Sequence, residues 1–189
     1  SEMCIRDRQY CANAGEMTSW TPCTGGIVGQ LYQASKIINC YSTGKMVPLG
    51  NGTTDFGGIA GTVGAGTEIK HCYFAGEMDL SQYTAATPYK RLGGIAGGVS
   101  SDTPAFENNY FVGTENVPAC FKYQNAGTEN TLDSMKTEDF FNEITAAGGN
   151  YRFNPNGTPI LPAPKYAVSF VVTPAELTNV TIKVNGQVV

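Results

Sequence analysis

Residues 71–78 read HCYFAGEM, and the same pattern stands at 39–46 as NCYSTGKM and at 10–17 as YCANAGEM. Aligning the three places Cys11, Cys40 and Cys72 at one position, joined by Asn109 in a fourth copy, with Gly15, Gly44, Gly76 and Gly113 each four residues later. A second motif alternates with the first: GGIVG at 25–29, then GGIAG at 57–61 and again at 93–97. From the first glycine of that motif to the Cys or Asn position is 15, 15 and 16 residues, whereas the return from Gly15, Gly44 and Gly76 grows from 10 to 13 to 17. Length variation confined to one segment is the mark of repeats with one insertable loop.

Each unit holds short β-prone pieces punctuated by glycine and no uninterrupted helical period, and paired glycines weaken a helix. The expected fold is therefore all-β: a short, right-handed parallel β-solenoid in which equivalent residues stack about 4.8 Å apart. Ile27, Ile59 and Ile95 should then form an apolar column, and the glycines should mark corners or close backbone approaches.

Composition agrees and excludes some partners. The 23 Gly, 10 Tyr and 9 Phe lean to a turn-rich, β-rich chain. With 12 Lys and Arg, none in a run, and a net charge of −4, neither a nucleic-acid footprint nor a basic membrane-surface helix is expected. No apolar run reaches the roughly 20 residues a membrane span requires. The first residues lack the blocks of a signal peptide, so a signal or anchor would lie outside this stretch. Ser1–Arg8 reads as a non-native or disordered extension, Cys4 with it, and is left out of the fold.

The double motif, GGIVG or GGIAG followed by NCYSTG or HCYFAG, resembles the Gly-Leu-Xaa-Gly (GLUG) repeats of large bacterial surface proteins, with Ile in place of Leu. The resemblance covers residues 9–128. It implies a repeat module of an exported, adhesin-like protein, extracellular or on the cell surface, and carries over no catalytic residue.

Residues 129–164 change character. Thr137 as N-cap, Glu138 and Asp139 in the first turn, and Gly148 and Gly149 at the end predict a helix with Phe140, Ile144 and Ala147 on one stripe. Because the last unit of a stack exposes apolar surface and strand edges, this helix with the strand-like tail to 164 is expected to cap it. Residues 165–189, with VSFVV, VTIKV and an NG turn, read as the start of an immunoglobulin-like β-domain cut short.

Candidate sites are few. The cysteines recur once per unit, so they read as buried thiols; no metal and no cofactor are expected, and Cys23 and Cys120 could pair or stay free. His71, the only histidine, has Asn39 and Asn108 as equivalents, which suggests a polar ladder. Asp55, Glu68, Glu77, Asp79 and Asp102 occupy different repeat positions, so no shared acidic column is evident and no enzyme is expected. Tyr41, Tyr73 and Tyr110, with Phe74 and Phe111 beside them, are the candidate binding residues, as an aromatic strip for a glycan or a surface protein; packing alone also explains such a strip. The expected function is a non-catalytic structural or adhesive module, a monomeric part of a longer chain. The alternative is an accessory part of a polysaccharide-active or peptidase surface enzyme.

Overall fold

The computed structural model describes residues 7–20, 22–49, 55–84, 91–100, 104–121, 123–163, 183–184 and 187–188. The first repeat unit gives three short strands, β1 (Arg8–Gln9), β2 (Ala12–Asn13) and β3 (Met17–Ser19). The second gives five: β4 (Thr24–Gly25), β5 (Val28–Leu31), β6 (Lys36–Ile38), β7 (Tyr41–Ser42) and β8 (Met46–Pro48). The third adds β9 (Asp55–Gly57), β10 (Ala60–Val63), β11 (Glu68–Lys70) and β12 (Tyr73–Phe74), and the fourth β13 (Arg91–Gly93), β14 (Ala96–Val99), β15 (Ala105–Glu107) and β16 (Tyr110–Val112). After them come β17 (Thr128–Asn130), α1 (Leu132–Met135) and α2 (Glu138–Ala146).

These strands join across units, not within them. The sheets run β1-β6-β11-β15, β2-β7-β12-β16-β17, β4-β9-β13, β5-β10-β14 and β3-β8, and the pairings within them are parallel. The chain is thus β-rich with parallel sheets, as expected. Tyr41 is in register with Tyr73, and Tyr73 with Tyr110. The isoleucine column forms too: Ile27 N donates to Ile59 O at 2.9 Å and Ile59 N to Ile95 O at 3.0 Å.

Opposed packing explains the constant spacing between the two motifs. A methyl group on Gly58 would lie 2.3 Å from Cγ of Phe74, and one on Gly94 2.1 Å from Cδ2 of Phe111. The second glycine of GGI therefore faces the aromatic of the CYF stretch across a narrow interior, where no β-carbon fits. Phe56, Ile59, Val63, Ile69, Phe74, Ile95 and Phe111 fill that interior and are buried.

Three features go beyond the motifs or change an expectation. Past Gly113 neither motif recurs in the residues, yet Ile95 N donates to Ala119 O at 2.8 Å and Gly94 N to Pro118 O at 2.8 Å, while β17 pairs with β16. A further unit is present, with Ala119 at the position of Ile59 and Ile95, Pro118 before it in place of glycine, and Cys120 at the position of Ala60 and Ala96. The boundary at residue 8 also shifts, since Arg8 pairs with Ile37 and the Asp7 carboxylate accepts from Lys36 N at 3.0 Å. The expectation for Ser1–Arg6 lies outside the described residues.

The third change concerns the helix. Thr137 caps α2 by accepting from Phe140 N, Ala147 ends it, and Gly148 follows at a φ of +103°. It does not sit on the end of the stack. Phe140 and Ile144 instead pack with Met135 and Tyr151 on the outer face of the β2-β7-β12-β16-β17 sheet, against Tyr73 and Tyr110. The reason is chemical: outward tyrosines on that sheet supply a second apolar surface, which the amphipathic stripe of α2 covers. Of the tail, β18 (Lys183–Val184) pairs antiparallel with β19 (Gln187–Val188), as the NG turn suggests; the remainder of the immunoglobulin-like expectation lies outside the described residues.

Candidate functional site

Four columns of side chains run along the sheet that the helix covers, and they contain the histidine, the repeated cysteines and the aromatic strip singled out in the sequence. The first holds Tyr10, Asn39, His71 and Asn108. All four have φ between 50° and 55°, the left-handed region. Asparagine tolerates that conformation better than most residues, so its recurrence here marks a corner. The expected ladder of side-chain hydrogen bonds between units is replaced by bonds to the segment after α2: Asn108 Nδ2 donates to Ala147 O at 3.0 Å, and Asn39 Oδ1 accepts from Asn150 N at 2.9 Å. Asn150 Nδ2 also donates to the Tyr10 hydroxyl at 3.1 Å. His71, between the two asparagines, lies against Gly148 with Nδ1 buried and without a partner, and burial lowers its pKa. No nucleophile or carboxylate hydrogen-bonds its ring among the described residues, so an acid–base role finds no support in its surroundings.

The second column holds Cys11, Cys40, Cys72 and Asn109 in line, as predicted. Backbone N–H groups of one unit point at the side chain of the next: Cys11 N donates to Cys40 Sγ at 3.3 Å, Cys40 N to Cys72 Sγ, and Cys72 N to Asn109 Oδ1 at 3.0 Å. Cys40 and Cys72 are fully buried and Cys11 is half-buried. All five described cysteines are free, Cys23 and Cys120 included. Burial raises the pKa of Cys72, while the hydrogen bond from Cys72 holds Cys40 below the ordinary thiol value.

The third and fourth columns are the predicted aromatic strip. Phe74 and Phe111 point into the core and are 0% and 2% exposed. Tyr73 and Tyr110 lie under the helix at 0% and 5%, with Phe140 edge-on to both rings at 6.0 and 5.2 Å between centroids. Tyr41 stacks flat on Tyr73 at 5.0 Å and remains half-buried. The Tyr73 hydroxyl donates to Pro159 O, and Tyr151 places its hydroxyl 2.7 Å from His71 O and 3.2 Å from Cys40 O. A stacking platform for sugars needs an open ring face. Four of these five rings have none: Phe74 and Phe111 face the core, and the helix and the 151–159 segment cover Tyr73 and Tyr110.

The candidate carboxylates are paired. Glu68 bridges Lys36 at 2.9 Å and Lys70 at 3.3 Å, and Lys70 reaches Glu107 at 3.1 Å, a charge ladder across neighbouring units. Lys45 holds Asp79 at 2.8 Å and Glu77 at 3.7 Å. Hydrogen bonds from these lysines keep Glu68 and Asp79 below the usual carboxylate range. Asp102 lies outside the described residues.

One cluster was missed in the sequence. Asp55, almost fully buried, pairs with Arg91 at 2.7 Å and accepts from the Thr62 hydroxyl, whose oxygen lies 3.1 Å from Cys23 Sγ. Gln30 Nε2 donates to the same sulfur at 3.0 Å. Only Asp55 carried a signal, as an acid directly before the apolar FGGIAG stretch. The exposed aromatics were also missed: Trp20 is 76% exposed, and Tyr10 and Tyr32 are 46% and 41% exposed. Two open hollows, of about 500 and 270 Å³, flank the last unit and are lined mostly by polar groups such as Thr114, Glu115, Asn116 and Asn125.

Residues 21–46 match the family model described as the GLUG motif. They span β4 to β8, from one GGI corner to the following NCYSTGKM. No curated protein and no solved structure matches the chain.

Proposed function

We propose that the chain is a right-handed β-solenoid segment of an exported bacterial cell-surface protein, a non-catalytic module that acts as a spacer or offers an adhesive face. The observation that carries this reading is register. Hydrogen bonds link Ile27, Ile59, Ile95 and Ala119 from unit to unit, and the Tyr41, Tyr73 and Tyr110 positions step together with them. Such a stack depends on nearest-neighbour contacts and can be lengthened unit by unit, which suits a spacer. The GLUG motif at 21–46 is in keeping with a repeat of a surface-type protein. The carboxylates weighed as catalytic, where described, are held by lysine or arginine, which supports a structural role for them. An adhesive face would use the exposed Trp20 and Tyr32 in preference to the covered tyrosine column.

The test is binding of the 189-residue chain to glycan and surface-protein arrays, with Trp20→Ala as the control. Binding that falls at least tenfold in the variant supports the adhesive form, and no binding leaves the spacer form. Hydrolysis of a polysaccharide or peptide by the purified chain would overturn the non-catalytic reading.

A further inference from the structure

We propose that Cys11 and Cys40 form a thiol–disulfide exchange site, closed into a bridge by a small-molecule disulfide. The site joins the first described unit to the second. The pairing of Ala12 with Tyr41 sets Cys11 directly beside Cys40 in neighbouring parallel strands. Neighbouring strands lie about 4.8 Å apart, inside the roughly 4.4 to 6.8 Å between Cα atoms that a disulfide spans. Cys11 N already donates to Cys40 Sγ at 3.3 Å.

Access and reactivity divide between the two sulfurs. Cys11, just before β2 at the end of the described sheet, is half-buried, with burial raising its pKa, and donates only a long bond, 3.5 Å, to Gln9 O. Cys40 is buried, and the bond from the Cys72 thiol and the Cys11 N–H both favour its thiolate. Cys72 is sealed behind it, fully buried, and retains its proton. Thus the outer sulfur meets the reagent and the inner one resolves it.

The chemistry balances with the disulfide as oxidant. The Cys11 thiolate attacks one sulfur of oxidised glutathione, forming a mixed disulfide and releasing one glutathione thiolate. The Cys40 thiolate then attacks the Cys11 sulfur, forming the protein disulfide and releasing the second glutathione thiolate. Two protein thiols are oxidised, one small disulfide is reduced to two thiols, and the two protons pass to the released glutathione or to solvent.

The experiment uses the full chain carrying Cys4→Ser, so that Cys4 does not compete, in folded conditions with a graded ratio of oxidised to reduced glutathione. After trapping with N-ethylmaleimide, peptide mass spectrometry reads the linkages. The expected result is a Cys11–Cys40 cross-link that appears after a transient adduct on Cys11, with a thermal midpoint raised by about 6–12 °C. Cys40→Ser should leave glutathione on Cys11, and Cys72→Ser should still form the bridge. A lasting Cys11 adduct in the chain that retains Cys40, or a Cys40–Cys72 link, would overturn the proposal, as would thiols that stay reduced throughout.

Discussion

The opposed packing of GGI against CYF makes a quantitative prediction at Gly94. A methyl group there would meet Phe111 at Cδ2, Cγ and Cβ, 2.1, 2.4 and 2.8 Å away. All three nearest atoms belong to one side chain on the facing strand, so the clash is specific to that ring. Gly94→Ala alone should cost about 1–3 kcal/mol, the usual range for overpacking. Phe111→Ala alone should cost about 3–5 kcal/mol through lost contacts and the cavity left behind. In the double variant the new methyl enters the space the ring has vacated, so most of the Gly94→Ala penalty should vanish and the pair should couple by about 1–3 kcal/mol. Urea denaturation of the four proteins, followed by far-ultraviolet circular dichroism, measures the cycle. Costs that add to within about 0.5 kcal/mol would refute the direct opposition of the two motifs and, with it, the explanation of their fixed spacing.

Three further outcomes follow from the same geometry. His71→Asn, matching Asn39 and Asn108, should stabilise the chain and flatten its acid limb: burial lowers the native His71 value below its ordinary 6.5, so the unfolded state binds more protons there and stability falls as pH drops below about 6.5. The charged neighbours Glu107 and Lys70 act on the ring in opposite directions; melts between pH 4 and 8 that are equally pH-dependent in both proteins would refute this. Phe140→Ala removes the edge contacts to Tyr73 and Tyr110 and should cost about 3–5 kcal/mol, with faster amide exchange concentrated in residues 131–151; uniform acceleration in the strands would contradict a separate outer layer. Deleting residues 45–76 joins Gly44 to Glu77, the equivalent of Lys45, and should leave a folded, shorter stack, whereas deleting 45–60 breaks register and should unfold it, as circular dichroism would report.

What could be read from sequence divides along physical lines. The glycine and cysteine registers were legible because sterics in a narrow interior leave few residues possible at Gly58 or Gly94. The α2 helix was legible because an N-cap at Thr137 is a local signal. The short helix α1 has no period to read in four residues, even though Thr131 caps it by accepting from Ser134 N. The unit containing Pro118, Ala119 and Cys120 keeps the backbone ladder but not the residues that advertise it, since backbone bonds ask little of the side chain. Burial of the tyrosine strip depended on where the helix docks, a tertiary fact that no spacing within the units encodes. The left-handed corner was half visible in Asn39 and Asn108 and was hidden by Tyr10 and His71.

The interchange of Cys and Asn in the second column now has a physical account. Cys40, Cys72 and Asn109 each accept a backbone N–H from the preceding unit and donate to the same carbonyl position of that unit: Cys40 Sγ to Arg8 O at 3.5 Å, Cys72 Sγ to Ile37 O at 3.6 Å, and Asn109 Nδ2 to Ile69 O at 2.8 Å. The left-handed corner turns the N–H groups of Cys11, Cys40 and Cys72 to side-chain acceptors, and a buried group left unpaired costs about 1–3 kcal/mol. The column therefore requires a small side chain that both accepts and donates. Treating the cysteines only as small apolar residues explains their burial but not why asparagine replaces one. Asn109 also donates to Ala126 O at 3.1 Å, a second bond that a thiol could not supply. That extra donor falls where the chain passes into its most divergent unit, so the substitution ties the irregular end to the stack.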